Sequence, residues 1–122
     1  MKEKRILLVD DDELILDTYR RILERNGFHV DTASTGEQAK EQLEKSTYDL
    51  LLVDIVLPDI HGDKLILDLR LNDNNVPVIV ITGFSSYEKS LDTMGLRIAD
   101  ILMKPIDPDQ LVSSINDVFI WL

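Results

Sequence analysis

The chain has 122 residues, enough for one domain with one core, and its 44% apolar and 30% charged residues suit a globular fold rather than a disordered one. Its formal net charge of -10, from 23 Asp and Glu against 13 Lys and Arg, disfavours direct contact with the phosphates of DNA or RNA. There is no cysteine for disulfides or thiolate metal sites, no apolar run near the roughly 20 residues of a membrane helix, and the start MKEKRILLVD turns apolar too briefly for a signal peptide.

Arg5 to Val9 (RILLV) is a short continuous apolar run and reads as a strand covered on both faces. Asp10, Asp11 and Asp12 follow it. Glu13 to Asn26 reads as a helix with Ile15, Tyr19, Ile22 and Leu23 at helical spacing, stopped by Gly27. Phe28 to Ala33 alternates more and reads as an edge strand. Thr35 to Lys45 is a mostly polar helix with Ala39 and Leu43 facing inward. Leu50 to Val53 is another buried strand and runs into Asp54. Gly62 to Leu71 is a helix carrying Leu65, Ile66 and Leu69. Val78 to Ile81 is a strand running into Thr82. Tyr87 to Met94 reads as a short, weakly apolar helix ending at Gly95. Ile98 to Met103 is the fifth strand and runs into Lys104 and Pro105. The last helix opens with Asp107-Pro108-Asp109-Gln110: Asp107 suits the cap, Pro108 the first helical position and Gln110 a capping-box partner. Strand then helix, five times over, implies right-handed crossovers and a parallel, doubly wound α/β sheet. The alternation leaves the strand order open.

In open α/β sheets, ligands bind at the carboxyl ends of the strands. Four strand ends here deliver Asp10 to Asp12, Asp54, Thr82 and Lys104. Singly, each has a plainer reading: the acids as turn residues and a helix cap, Thr82 as a loop hydroxyl, Lys104 as a solvated charge. Their coincidence favours a common site. Crowded carboxylates repel, so one must protonate unless a cation joins them. All-oxygen ligation by carboxylates and water suits Mg²⁺. Zinc is disfavoured, because His29 and His61 lie in different segments and read as surface residues. A carboxylate beside such a metal can attack phosphorus and form an aspartyl-phosphate. Thr82 could then donate to one phosphoryl oxygen and Lys104 neutralise another.

The segments ILLVDDDELIL, LLVDIVLPDIHG, VIVITG and ILMKPID, in this order, resemble the receiver domains of two-component response regulators, including the chemotaxis regulators. The resemblance covers essentially the whole chain, 1–122. It implies a flavodoxin-like sheet of five parallel strands in the order 2-1-3-4-5, with five helices in three α/β/α layers. It implies that Asp54 is the phosphoacceptor. Asp11 would be a direct Mg²⁺ ligand and Asp10 its acidic neighbour acting through water. Asp54 and the backbone carbonyl of Val56 would complete the metal set, and Asp12 would begin the first helix with a lesser part. Thr82 matches the switch hydroxyl, Gly83 the small residue that leaves access to the phosphoryl group, and Lys104 the family's lysine. Lys104-Pro105 matches a cis peptide, which costs little before proline. Pro58 and Gly62 fit the loop after the phosphoacceptor strand. One position departs: the family usually carries Tyr, Phe or His three residues before the lysine, where this chain has Ile101. An aliphatic side chain there reads equally well as a plain strand residue.

The implied function is a signalling switch rather than an enzyme. A histidine kinase or phosphotransfer protein would supply the phosphoryl group, and the chain would catalyse its own phosphorylation and slow dephosphorylation. The signal would leave through the helix over Tyr87 to Met94, the fifth strand and the last helix. Cytoplasmic placement is expected, with no nucleic acid or membrane contact by this segment. In the last helix, Leu111, Ile115, Val118 and Phe119 form an inward stripe, while Ile120, Trp121 and Leu122 continue apolar on other faces. Core packing at a chain end would explain this; the favoured expectation is a helix leading into an effector domain or forming a homodimer surface. Three rival readings fit the residues less well. An aspartate-nucleophile phosphatase would place a second acid at Val56. An FMN-binding module would need Ser, Thr or Gly after the first strand, where Asp10 to Asp12 stand. A degenerate receiver would lack an acid or the lysine, and none is missing.

Overall fold

The computed structural model describes residues 3–83 and 95–121. Strands β1 (Arg5–Val9), β2 (His29–Ala33), β3 (Leu50–Asp54), β4 (Val78–Thr82) and β5 (Asp100–Met103) form one parallel sheet in the order β2-β1-β3-β4-β5. The described helices are α1 (Glu13–Arg25), α2 (Gly36–Lys45), α3 (Gly62–Leu71) and α4 (Pro108–Trp121). The helix expected over Tyr87 to Met94 lies outside the described residues. None of the described helices is long and apolar enough to cross a membrane. The chain steps from β1 outward to β2, then crosses back to β3 on the other side. That reversal opens a crevice above the carboxyl ends of β1 and β3.

The alternation of side chains along each strand divides the core in two. Leu7, Val9, Leu51, Val53, Val78 and Val80 face one way and meet Ala39 of α2 and Leu65, Ile66 and Leu69 of α3. Ile6, Leu8, Leu50, Leu52, Ile79 and Ile81 face the other way and meet Leu16 and Leu23 of α1 and Leu111, Ile115 and Val118 of α4. The central strands are buried on both faces, which is why they read as unbroken apolar runs. Burying each such side chain contributes about 1.5–3 kcal/mol.

Several boundaries and faces differ from the sequence expectation. Helix α1 buries Leu16 and Leu23, with Tyr19 partly buried against the same cluster, while Ile15 and Ile22 are partly buried beside this stripe. Residues 16, 19 and 23 are the set that follows one side of the helix, and Ile15 and Ile22 are each one position behind it. Thr35 is the cap of α2, its hydroxyl accepting from the Gln38 N–H, and not the first helical residue. Strand β5 begins at Asp100. Asp107 accepts from the Asp109 N–H at the start of α4. Leu111, Ile115 and Val118 are buried, Phe119 is packed beside them, and Ile120 is exposed. Arg70 was not anticipated. Its guanidinium donates to the carbonyls of Asn74, Val76, Leu96 and Arg97, tying the end of α3 to the entries of β4 and β5.

The turn from β3 into α3 is tight. The Gly62 N–H donates to the Ile55 carbonyl at 2.7 Å. A Cβ on Gly62 would stand 2.5 Å from the Asp54 carbonyl oxygen, so only glycine lets the helix start this close to the strand. Gly62→Ala is therefore expected to cost about 1–3 kcal/mol as an overpacked contact. Urea unfolding would show it as a lower midpoint with unchanged slope; a midpoint equal to the parent's would mean the turn yields freely.

Candidate functional site

The carboxyl ends of β1, β3, β4 and β5 bring the sequence candidates to one end of the sheet. Asp54 is the last residue of β3 and is 5% exposed; Asp10 follows β1 and is 1% exposed. Asp10, Asp11 and Asp54 each place a carboxylate oxygen within 4.8 Å of the others. Asp11 is exposed, so the cluster opens to solvent on its side. Strand parity puts Asp10 and Asp54 on the α1/α4 side of the sheet, beyond Leu8 and Leu52.

Lys104 stands between the two buried acids. Its Nζ lies 2.8 Å from Asp10 Oδ2 and 2.8 Å from Asp54 Oδ2, with the side chain 23% exposed. Its own N–H donates to the Thr82 carbonyl at 2.8 Å, which anchors its backbone to the end of β4; the Lys104-Pro105 peptide is cis. The reading of Lys104 as a solvated charge does not fit this placement. Burial pulls the ammonium pKa down, but the close carboxylates of Asp10 and Asp54 outweigh it and leave Lys104 raised, hence charged at neutral pH. Asp10 responds the other way round. Burial pushes its carboxyl above the usual range, against the pull of Lys104 and of the Asp12 N–H.

The remaining acids divide their work. Asp12 caps α1, its Oδ1 accepting from the Leu14 N–H at 2.9 Å. Asp54 Oδ1 accepts from the Val56 N–H at 3.1 Å, which fixes the carboxylate against the loop that follows it. Thr82 ends β4 fully buried, on the face shared with Val80. Ile101 pairs in register with Val80 and packs, partly buried, against the same core. A Cβ at Gly83 would meet nothing within 4 Å among the described residues. His29 is exposed beside Asp31, and His61 precedes α3 without a side-chain cap bond; neither joins the acids.

The donor set fits a hard divalent cation. Asp10 Oδ2 is buried and pairs with the Lys104 ammonium at 2.8 Å, with no further hydrogen-bond partner among the described residues. Three carboxylates within 4.8 Å, two of them sharing a single ammonium, are a donor set that an oxygen-seeking cation would complete.

One feature of the site carried no sequence signal. Loop 55–61 alternates in burial, with Ile55 and Leu57 in the core and Val56 exposed. Further along, the Asp59 carboxylate accepts the N–H groups of Gly36 at 2.8 Å and Glu37 at 2.9 Å, capping α2 from 23 residues away. In sequence Asp59 is only an acid after a proline, and nothing local names its partner.

A family model described as the response regulator receiver domain matches residues 6–116. The alginate biosynthesis transcriptional regulatory protein AlgB of Pseudomonas aeruginosa is 37% identical over 110 residues, covering 90% of this chain and 24% of AlgB. The cell cycle response regulator CtrA of Brucella ovis is 29% identical over 114 residues, covering 93% of this chain and 49% of CtrA. The chain thus spans about a quarter of one relative and about half of the other. Among solved structures, a CheY-like response regulator receiver domain protein from Methanospirillum hungatei superposes with a TM-score of 0.88 at 34% identity, covering 95% of this chain and 93% of that one. The response regulator TrrA of Thermotoga maritima, solved in complex with Mg(2+)-BeF, superposes with a TM-score of 0.85 at 29% identity, covering 94% of this chain and 98% of that one. The match to the family model runs from β1 into α4, through every strand end that builds the site, and the chain belongs to the family of response regulator receiver domains.

Proposed function

We propose that this chain is a Mg²⁺-dependent phosphoacceptor switch in which Asp54 takes a phosphoryl group from the phosphohistidine of a histidine kinase or phosphotransfer protein. The observation that carries this reading is the position of Asp54. It is a nearly buried carboxylate with an ammonium 2.8 Å from one oxygen and two further carboxylates close by. Asp10, Asp11, Asp54 and the Val56 carbonyl would hold Mg²⁺, Asp10 through water. Bound there, the metal neutralises and orients the phosphoryl oxygens.

An Asp54 carboxylate oxygen attacks phosphorus in line with the leaving imidazole. The new O–P bond forms as the P–N bond breaks, and its electron pair leaves with the imidazole nitrogen, which takes up a proton. Lys104 exchanges its bond to Asp54 for one to a phosphoryl oxygen, and Thr82 donates to another. Hydrolysis reverses the state when water attacks phosphorus and Asp54 departs as carboxylate. The added charge of about -1.5 to -2 draws Thr82 and Lys104 together and shifts the population of the β5 and α4 face. That face would pass the signal in the cytoplasm to an effector domain, a downstream protein or a second copy of the chain. The greater length of AlgB and CtrA supports an effector segment.

Three outcomes follow. Intact mass after incubation with acetyl phosphate should rise by one phosphoryl group in the parent with Mg²⁺, and not without Mg²⁺ or in Asp54→Ala; full labelling of Asp54→Ala would sink the assignment. Lys104→Ala should still bind Mg²⁺, but phosphorylation should move its Thr82 and Gly83 amide resonances far less than in the parent. Unchanged shifts would remove Lys104 from the switch.

The third concerns Asp10. A folded-state pKa above the unfolded value means that this group's contribution is fully present below the unfolded pKa of about 3.9. It is lost as pH rises through the folded value, so at pH 7 the charged Asp10 weakens the metal-free fold. Asp10→Asn should therefore raise the metal-free Tm at pH 7 by a few degrees. The gain should fade in acid, and Mg²⁺ should stabilise the variant less than the parent. A lower Tm at pH 7 would contradict this.

A further inference from the structure

Loop 55–61 carries the Val56 carbonyl, and its position depends on what fastens the loop. At its start, the Val56 N–H is held by Asp54 Oδ1 at 3.1 Å. At its end, the Gly62 N–H is held by the Ile55 carbonyl at 2.7 Å. The fastening in between comes from α2. Asp59 Oδ1 accepts from Gly36 at 2.8 Å and Asp59 Oδ2 from Glu37 at 2.9 Å, while Oδ1 also takes the Ile60 N–H at 2.9 Å. These backbone donors hold the Asp59 carboxyl below its ordinary range, so it is ionised at neutral pH, where a negative charge at a helix N-terminus is favourable. The contact is also steric. A Cβ on Gly36 would stand 1.8 Å from Ile60 Cγ2, so the loop lies directly against the first turn of α2.

We propose that Asp59 is a positioning residue for the metal site: by fastening loop 55–61 to α2, it holds the Val56 carbonyl in place beside Asp54. The inference rests on the Mg²⁺ reading above. Only two residues separate Val56 from Asp59, and one of them, Pro58, has a fixed φ. A tether at Asp59 therefore restricts Val56 closely. Without it, ordering the loop would be charged against metal binding. The coupling is reciprocal, so Mg²⁺ should steady the first turn of α2.

The test is a Mg²⁺ titration followed by amide resonances of Asp54 and Val56, in about 0.5 M salt so that long-range charge effects are screened. The proteins are the parent, Asp59→Ala, Asp59→Asn and Thr35→Ala. Thr35→Ala removes the other cap on the same turn, the one bonded to Gln38, and so weakens α2 without releasing Asp59. Asp59→Ala should bind Mg²⁺ about fivefold more weakly or worse, the lower end of common site-to-site couplings. Asp59→Asn should regain part of the loss through its remaining oxygen, and Thr35→Ala should bind as the parent does. Mg²⁺ should also slow hydrogen exchange at Gly36 and Glu37 in the parent but not in Asp59→Ala. Equal affinity in Asp59→Ala and the parent overturns the proposal. So does an equal loss in Thr35→Ala, which would mark helix instability, or an Asp59→Asn as weak as Asp59→Ala, which would mark charge alone. A parent that takes up no Mg²⁺ overturns both this proposal and the metal reading beneath it.

Discussion

Two nearly buried carboxylates at the ends of neighbouring strands would repel strongly in a medium that screens them poorly, and Lys104 stands 2.8 Å from each. The rest of the site follows from this balance. Lys104 is anchored at its backbone, where its N–H is bonded to the end of β4. One ammonium does not satisfy the cluster. Asp10 keeps a raised pKa despite its ion pair with Lys104, and Asp11 adds a third carboxylate within 4.8 Å. The site is left short of positive charge on its solvent side. A divalent cation, as proposed above, would supply that charge.

The sheet accounts for how the parts reach each other. Parallel strands of nearly equal length end at one level, so residues far apart in sequence arrive side by side without a dedicated scaffold. Alternation then sorts them. Asp10 and Asp54 extend the rows that face α1 and α4, whereas Thr82 extends the row that faces α2 and α3 and is continued across to Ile101. The site thus straddles the sheet, and a change at Asp54 touches both layers. Ile101 gives the far layer an aliphatic neighbour. Any read-out through it is a matter of packing volume and not of a hydroxyl's hydrogen bond.

Much of this was legible from the chain because the signals were local. Continuous apolar runs marked β1, β3 and β4, and the residues ending them named the site. The strand order came through resemblance, since alternation of strands and helices is compatible with several orders. What escaped was non-local or rotational. Ile15 and Ile22 are as apolar as Leu16 and Leu23, and only the angle at which α1 meets the sheet decides between them. Arg70 looks like a surface charge on α3, yet it spends its donors on four backbone carbonyls of loops whose proximity exists only in the fold. Asp59 is the same kind of case, because its partners belong to a helix 22 and 23 residues earlier.

The division of Asp54 and Thr82 between the two faces also bears on how this chain can diverge. A strand residue added or lost ahead of Thr82 would turn its side chain to the opposite layer and carry Val80 and Val78 with it, inverting the core as well as the site. Helices and loops at the other edge of the sheet face no such parity rule. Length variation in descendants of this sequence should therefore collect in loops away from the carboxyl ends of the strands, while the strands themselves change by substitution alone.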